Sequence, residues 1–223
     1  MKSSYSKLKR CDIVVSSQAI AGSPLMDPEA LTRIGLDAIA GGASALRLAG
    51  ADTVAFASTR VDVPIIGLIK TNRVEYEPRI TTTSEEIQQL MEAGAQIIAI
   101  DATHRKRPEP LESLFQIAVS NSLEVFADIA TLEEAQRSID LGATYIATTM
   151  SGYTDARALT EGPDFELLEG VIALGAKAVL EGRVSTSAHI QQALDLGAHS
   201  VVIGRAITSP QSILRGILEG VKR

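Results

Sequence analysis

Lys70 closes the run Pro64-Ile65-Ile66-Gly67-Leu68-Ile69-Lys70, a short apolar, β-branched stretch that reads as a buried strand delivering one cation. Other apolar runs end in the same manner, at Gln18, Arg47, Asp101, Asp128, Thr148 and Thr149, Glu181, and Gly204 with Arg205. Singly, each has a plain structural explanation. A strand-final lysine snorkels into solvent, and Arg47 with Asp128 is a pair that holds two strands together. As a set they are too polar to plug a core, because burying unpaired charge is costly. An amine, carboxylates and an arginine, without metal-ligand spacing, support reactions run by proton transfer: isomerisation, epimerisation, aldol chemistry or decarboxylation. Gly182 and Gly204, followed by Arg183 and Arg205, point to a phosphate. Glycine lets backbone N–H groups approach an anion, and an adjacent arginine completes charge-assisted contacts.

These residues act together only if one architecture gathers them. Cys11 to Ala19 reads as a first strand, and Asp27-Pro28 as an N-cap followed by proline at the first helical position of a helix to Ala40. Ala43–Leu48, Pro64–Lys70, Gln96–Asp101, Glu124–Ile129, Tyr145–Thr149, Lys177–Leu180 and Ser200–Ile203 supply the further strands. Helices are expected from 51 to 60, 84 to 93, 110 to 121, 131 to 141, 164 to 174, 185 to 196 and 210 to 221. Gly94, Gly142, Gly175 and Gly197 each stand between a helical pattern and an apolar run, where a left-handed residue ends a helix. Alternating strands and helices mean a parallel sheet with right-handed crossovers. Eight such units in one domain, 1–223, match a (β/α)8 barrel, whose strand ends line the working mouth. An open doubly wound sheet is the alternative, but Ser16-Ser17-Gln18-Ala19 lacks the glycine fingerprint usual after its first strand.

Composition narrows the partners. The net charge of −6, 4% aromatic residues and no tryptophan argue against a nucleic-acid surface. The basic stretch His104-Arg105-Lys106-Arg107 reads as a solvated loop. No stretch approaches the roughly 18 apolar residues of a membrane span, and the start, Met1 to Lys7, has no apolar leader; a cytoplasmic protein is expected. Cys11 is the only cysteine, so neither an intrachain disulfide nor a cysteine-built zinc site is possible, and His104, His189 and His199 have no metal-ligand spacing.

The chain also resembles a known family. The segments Ser17-Gln18-Ala19, Gly41-Gly42-Ala43 with Leu46-Arg47, Pro64–Lys70, Asp101-Ala102-Thr103 with Arg105–Pro108, Ala127-Asp128-Ile129, Thr148–Thr154, Pro163-Asp164-Phe165, Glu181-Gly182-Arg183 and Gly197–Gly204 are similar to those of the N-acetylmannosamine-6-phosphate 2-epimerases, also called N-acylglucosamine-6-phosphate 2-epimerases. The resemblance covers nearly the whole chain. It implies a (β/α)8 barrel, usually a homodimer, that interconverts N-acetylmannosamine 6-phosphate and N-acetylglucosamine 6-phosphate without metal or organic cofactor. It implies Lys70 as the acid/base at C2, Glu181 as its partner, and Gln18, Arg47 and Asp128 on the sugar. Two positions depart from the family. Ser17 stands where many relatives have cysteine, and Ser209 where relatives often have arginine, so phosphate contact is expected to pass to Arg205 with Gly182 and Gly204. Another phosphosugar barrel enzyme, or a non-catalytic sugar-phosphate sensor, is the competing expectation.

Epimerisation poses a protonation problem. A lysine of pKa ~10.4 is neutral only about 0.04% of the time at pH 7, a deficit of ~4.6 kcal/mol. Burial and Arg47 reduce it, whereas an ionised Glu181 increases it. Both residues serve only if Glu181 is protonated when Lys70 acts as base, or if the pair shares one proton.

Overall fold

Local signals start the helices where the sequence places them. Asp27 accepts a hydrogen bond from the Ala30 N–H and Pro28 opens α1, Pro28–Ala40. Thr83 with Glu86 and Thr131 with Glu134 form reciprocal capping boxes at α3, Ser84–Glu92, and α5, Leu132–Asp140. The remaining helices are α2, Ala51–Ser58; α4, Leu111–Ser120; α6, Phe165–Ala173; α7, Ser187–Leu196; a four-residue α8, Arg205–Thr208; and α9, Pro210–Glu219. Gly94, Gly142, Gly175 and Gly197 all have positive φ, as a helix-ending glycine requires.

The computed structural model describes residues 6–20, 22–219 and 221. Residues 1–5, on which most of the reading of the start rests, lie outside the described residues. Eight parallel strands close into a barrel in chain order: β1, Asp12–Ser17; β2, Ala45–Ala49; β3, Ile65–Leu68; β4, Ile97–Asp101; β5, Glu124–Asp128; β6, Tyr145–Ala147; β7, Ala178–Glu181; and β8, Ser200–Ile203. Each pairs with the next, and β8 with β1. The architecture is the expected (β/α)8 barrel. Among the described residues, no helix is long and apolar enough to cross a membrane.

A pleat of period two divides the side chains. Val14, Ala45, Ile66, Leu68, Ile97, Ala99, Phe126, Tyr145, Ala147, Val179 and Val202 fill the barrel with Leu8, while a second buried cluster packs the sheet against the helices. The lower end is closed by residues 6–8. The Leu8 N–H donates to the Tyr145 hydroxyl at 2.8 Å, and the Lys7 N–H reaches the Glu124 carboxylate at 3.0 Å.

Two elements depart from the sequence expectation, and both shape the mouth. β3 stops at Leu68, not at Lys70. Beyond it the chain pairs with its own return, through an antiparallel bridge between Lys70 and Ile80 and a hydrogen bond from the Thr81 N–H to the Ile69 carbonyl. β6 stops at Ala147, and Thr148–Met150 forms a 3₁₀ turn in place of the expected last strand residues. The final helix starts at Pro210 as expected, and the short α8 stops before it because Pro210 has no N–H to carry α8 into α9. The final helix is described to Glu219, and residue 220 lies outside the described residues.

Candidate active site

The inward face of each strand continues upward by the same period of two. From Val14 it reaches Ser16, from Ala45 Arg47, from Leu68 Lys70, from Ala99 Asp101, from Phe126 Asp128, from Ala147 Thr149, from Val179 Glu181 and from Val202 Gly204. The apolar floor is therefore capped by a polar layer at the carboxyl ends of the strands.

Arg47 is the centre of that layer. It is 3% exposed and its guanidinium lies 5.5 Å from the Phe126 ring centroid. Nη2 donates to Asp128 Oδ2 at 2.6 Å, and Nη1 donates to Glu181 Oε1. Asp128 is fully buried, and its Oδ1 accepts from the Thr149 hydroxyl at 2.5 Å. Glu181 is held at its backbone, where the Thr148 hydroxyl accepts from its N–H at 3.1 Å and donates to its carbonyl at 2.9 Å. Its Oε2 is buried without a hydrogen-bond partner among the described residues, as is Arg47 Nε.

One guanidinium thus serves two buried carboxylates. Burial raises both carboxyl groups, Asp128 to about 7, while Arg47 acts the other way on each. Together they hold a proton that neither isolated group would hold near neutrality. Lys70 is exposed on its open side yet packed closely enough by the barrel rim for desolvation to lower its pKa. The positive charges of Arg47 and Arg205 lower it further, against Glu181, which raises it. The structure therefore brings Lys70, Arg47, Asp128 and Glu181 into one electrostatic unit.

The other expected residues lie around it. Gln18 is half-buried and donates to the Ser16 hydroxyl at 2.7 Å. Gly182 has φ +111°, closed to most side chains, and Gly204 leads into α8. Arg205 is exposed and donates to the Tyr153 hydroxyl at 3.3 Å. Two residues and one stretch depart from their expected roles. Arg183 does not face an anion: it donates to the carbonyls of Gly162 and Ser151 and to the Thr160 hydroxyl, clamping the loop after β6. Asp101 is occupied by Arg105, Thr103 and the Arg79 N–H. The basic stretch 104–107 is not simply solvated, since Arg105 joins Asp101 and Arg107 donates to the Asp101 and Thr103 carbonyls.

Among the described residues no three His, Cys, Asp or Glu side chains are grouped to hold a metal ion. A layer of one amine, one arginine and two carboxyls sharing a proton can take a proton from carbon and hold the negative oxygen that results.

Residues 31–223 match the family model NanE, described as "Putative N-acetylmannosamine-6-phosphate epimerase". The chain belongs to this epimerase family. Members named in the same terms, as 2-epimerases, include one from Caldanaerobacter subterraneus subsp. tengcongensis, 40% identical over 215 residues, covering 94% of this chain and 91% of the relative. Another, from Clostridioides difficile, is 35% identical over 213 residues, covering 94% and 96%. The solved N-acetylmannosamine-6-phosphate 2-epimerase from Clostridium perfringens superposes with a TM-score of 0.93 at 35% identity, covering 96% of this chain and 95% of that one. A thiamine phosphate pyrophosphorylase from Pyrococcus furiosus, 15% identical with a TM-score of 0.62, shares the fold alone.

Within this epimerase-family barrel, sequence reasoning left Thr149 and Ser16 without roles. Thr149 was visible as a polar strand-end residue, but its contact with Asp128 follows from the 3₁₀ turn. The signal that finds it is the two-residue step from Tyr145 through Ala147.

Proposed function

We propose that this chain is an epimerase that interconverts N-acetylmannosamine 6-phosphate and N-acetylglucosamine 6-phosphate by removing and returning the proton at C2. Family membership supplies the substrate class. The single observation that carries the chemistry is Arg47 bridging Asp128 and Glu181 within the charge field of Lys70.

In the open-chain sugar the C2 proton is acidified by the C1 carbonyl. Lys70, made easier to deprotonate by burial and by Arg47, takes that proton. The enolate oxygen at C1 is stabilised by Arg47 and by Glu181 in its protonated form, whose Oε2 has no other partner among the described residues. The enolate is planar at C2, so a proton returned to the opposite face gives the epimer. Lys70, exposed on one side, is the mobile group that returns it. Gln18 and Asp128 orient the sugar, and Gly182, Gly204 and Arg205 take the phosphate.

Residues 1–223 are read as one such domain, acting as a homodimer in the cytoplasm. A phosphorylated sugar suits that compartment, since its charge keeps it from crossing a lipid bilayer. A second copy is the occupant that suits α9: Ile213, Leu214, Ile217 and Leu218 are exposed and no residue of that helix is buried. Incubation with N-acetylmannosamine 6-phosphate in deuterated water tests the reaction. Deuterium enters C2 of the product with the wild type and not with Lys70→Ala; exchange by that variant at the wild-type rate would remove Lys70 from its role.

A further inference from the structure

Thr149 has no part in the chemistry above; its hydroxyl is near enough to act on both carboxyls, yet its hydrogen bond is to Asp128. Its hydroxyl rises from the 3₁₀ turn after β6 and donates to Asp128 Oδ1 at 2.5 Å, while Arg47 donates to Oδ2 at 2.6 Å. Both oxygens of Asp128 therefore have donors. Glu181 has one donor, Arg47 at Oε1, and its buried Oε2 has none among the described residues. One cation cannot neutralise two buried anions, so one carboxyl keeps a proton.

We propose that Thr149 is a positioning residue that places this proton on Glu181, by committing both oxygens of Asp128 to donors and so fixing Asp128 as the anion paired with Arg47. The inference rests on the epimerase reading and resolves the conflict between Lys70 and Glu181 within it. A neutral Glu181 does not hold the proton of Lys70 in place, and it donates to the enolate oxygen.

The allocation rests on the hydrogen bonds at Asp128 and the unpartnered Glu181 oxygen, because the facing charges act on both carboxyls. Arg47 from β2 and Thr149 from the β6 turn favour ionised Asp128, while Glu181 from β7 and then Asp101, its neighbour across the β4–β5 register, oppose it. Glu181 faces Arg47, Thr149 and Lys70, and Lys70 stops favouring the glutamate anion once it is itself neutral. Arg205, after β8, adds positive charge at Lys70.

The test compares Thr149→Val, which keeps the shape and loses the hydroxyl, with Thr149→Ser, which keeps the hydroxyl. The kcat for C2 exchange of N-acetylmannosamine 6-phosphate is followed by NMR against pH. In Thr149→Val the proton passes to Asp128 and Glu181 ionises beside Lys70, so the ascending limb of kcat moves up by about half to one pH unit, and kcat at pH 7 falls by at least about 10²-fold because Glu181 no longer donates to the enolate oxygen. KM changes by less than about twofold, and Thr149→Ser restores the wild-type limb. A folded Thr149→Val with an unmoved limb overturns the proposal. A measurement on the wild type alone decides it independently of how the variants fold. Carboxyl-labelled protein, observed by carbon NMR, shows Glu181 deprotonating at higher pH than Asp128 if the proposal holds, and the reverse order overturns it. A wild type that exchanges no C2 proton refutes the epimerase reading instead.

Discussion

Replacing Asp128 with asparagine separates the stability of the buried charges from their catalytic arrangement. Removing one partner of a buried ion pair ordinarily costs 3–5 kcal/mol, because the other charge is left unpaired. Arg47 is not left unpaired here, since Glu181 already accepts from Nη1. In Asp128→Asn, Glu181 ionises to compensate Arg47, and the introduced amide still accepts from Nη2 and meets the Thr149 hydroxyl. The expected destabilisation is only about 1–2 kcal/mol, the difference between a charged and a neutral hydrogen bond. Activity falls much further. An anion at Glu181 attracts the Lys70 proton, and ~1 kcal/mol across a partly solvated mouth corresponds to a rise of roughly 0.7 pKa unit, about a fivefold loss of neutral amine. The proton that Glu181 offers the enolate oxygen is also gone, and loss of one such donor costs about 10²–10³ in kcat. Urea unfolding and NMR time courses between pH 6 and 9 measure the two effects. Expected are near-wild-type stability, a kcat at pH 7 lower by at least about 10²-fold, and partial recovery of that loss as pH rises. A stability loss of about 3–5 kcal/mol, or a kcat deficit that does not vary with pH, refutes the reasoning.

Three further outcomes are expected. The Asp128–Glu181 pair keeps its shared proton to about pH 7, the value to which burial raises Asp128, well above the ~4 of unfolded carboxyls. The native state therefore binds the extra proton between them, and this contribution to stability is full below about pH 4 and lost as pH rises through about 7. Glu181→Gln leaves Asp128 alone with Arg47 and abolishes that slope, so urea midpoints at pH 5 and 8 that differ equally in both proteins would count against a shared proton. Arg205→Ala raises KM for the phosphorylated sugar about tenfold with kcat little changed; an unchanged KM returns the phosphate to the backbone at Gly182 and Gly204. Gly67→Ala destabilises by about 1–3 kcal/mol through overpacking, because its Cβ would lie 2.8 Å from Ala95 Cβ and 3.1 Å from a Leu90 methyl; a thermal midpoint within one degree of wild type would show that α3 yields.

The barrel is legible in the sequence because each strand is a short apolar run and each helix carries its own punctuation. Thr83-Ser84-Glu85-Glu86 and Gly197 specify their local backbone without tertiary help. Arg47, Lys70, Asp128 and Glu181 are legible for the converse reason: a charge at the end of an apolar strand contradicts its surroundings. Contacts between separate segments were not legible. Arg183 and Arg205 occur in the same dipeptide context, yet Arg183 has φ +58° and turns towards the loop carrying Ser151, Thr160 and Gly162. No composition rule distinguishes an arginine that binds an anion from one that ties down a loop. The end of β3 was missed for a related reason. The return of Arg79–Thr81 alongside Ile69–Thr71 is a pairing within a loop whose sequence has no strand pattern.

One pleat carries both the floor of the barrel and the charged groups above it to which the reaction is assigned in our proposal. A slip of one residue along β2 would turn Arg47 outward among the helices and aim Leu46 and Leu48 inward, leaving Asp128 and Glu181 without a counter-charge. Such a slip loses packing and neutrality in the same motion. The ion bridge across the mouth is thus a proofreader of strand alignment, rejecting misfolded rings before any sugar arrives.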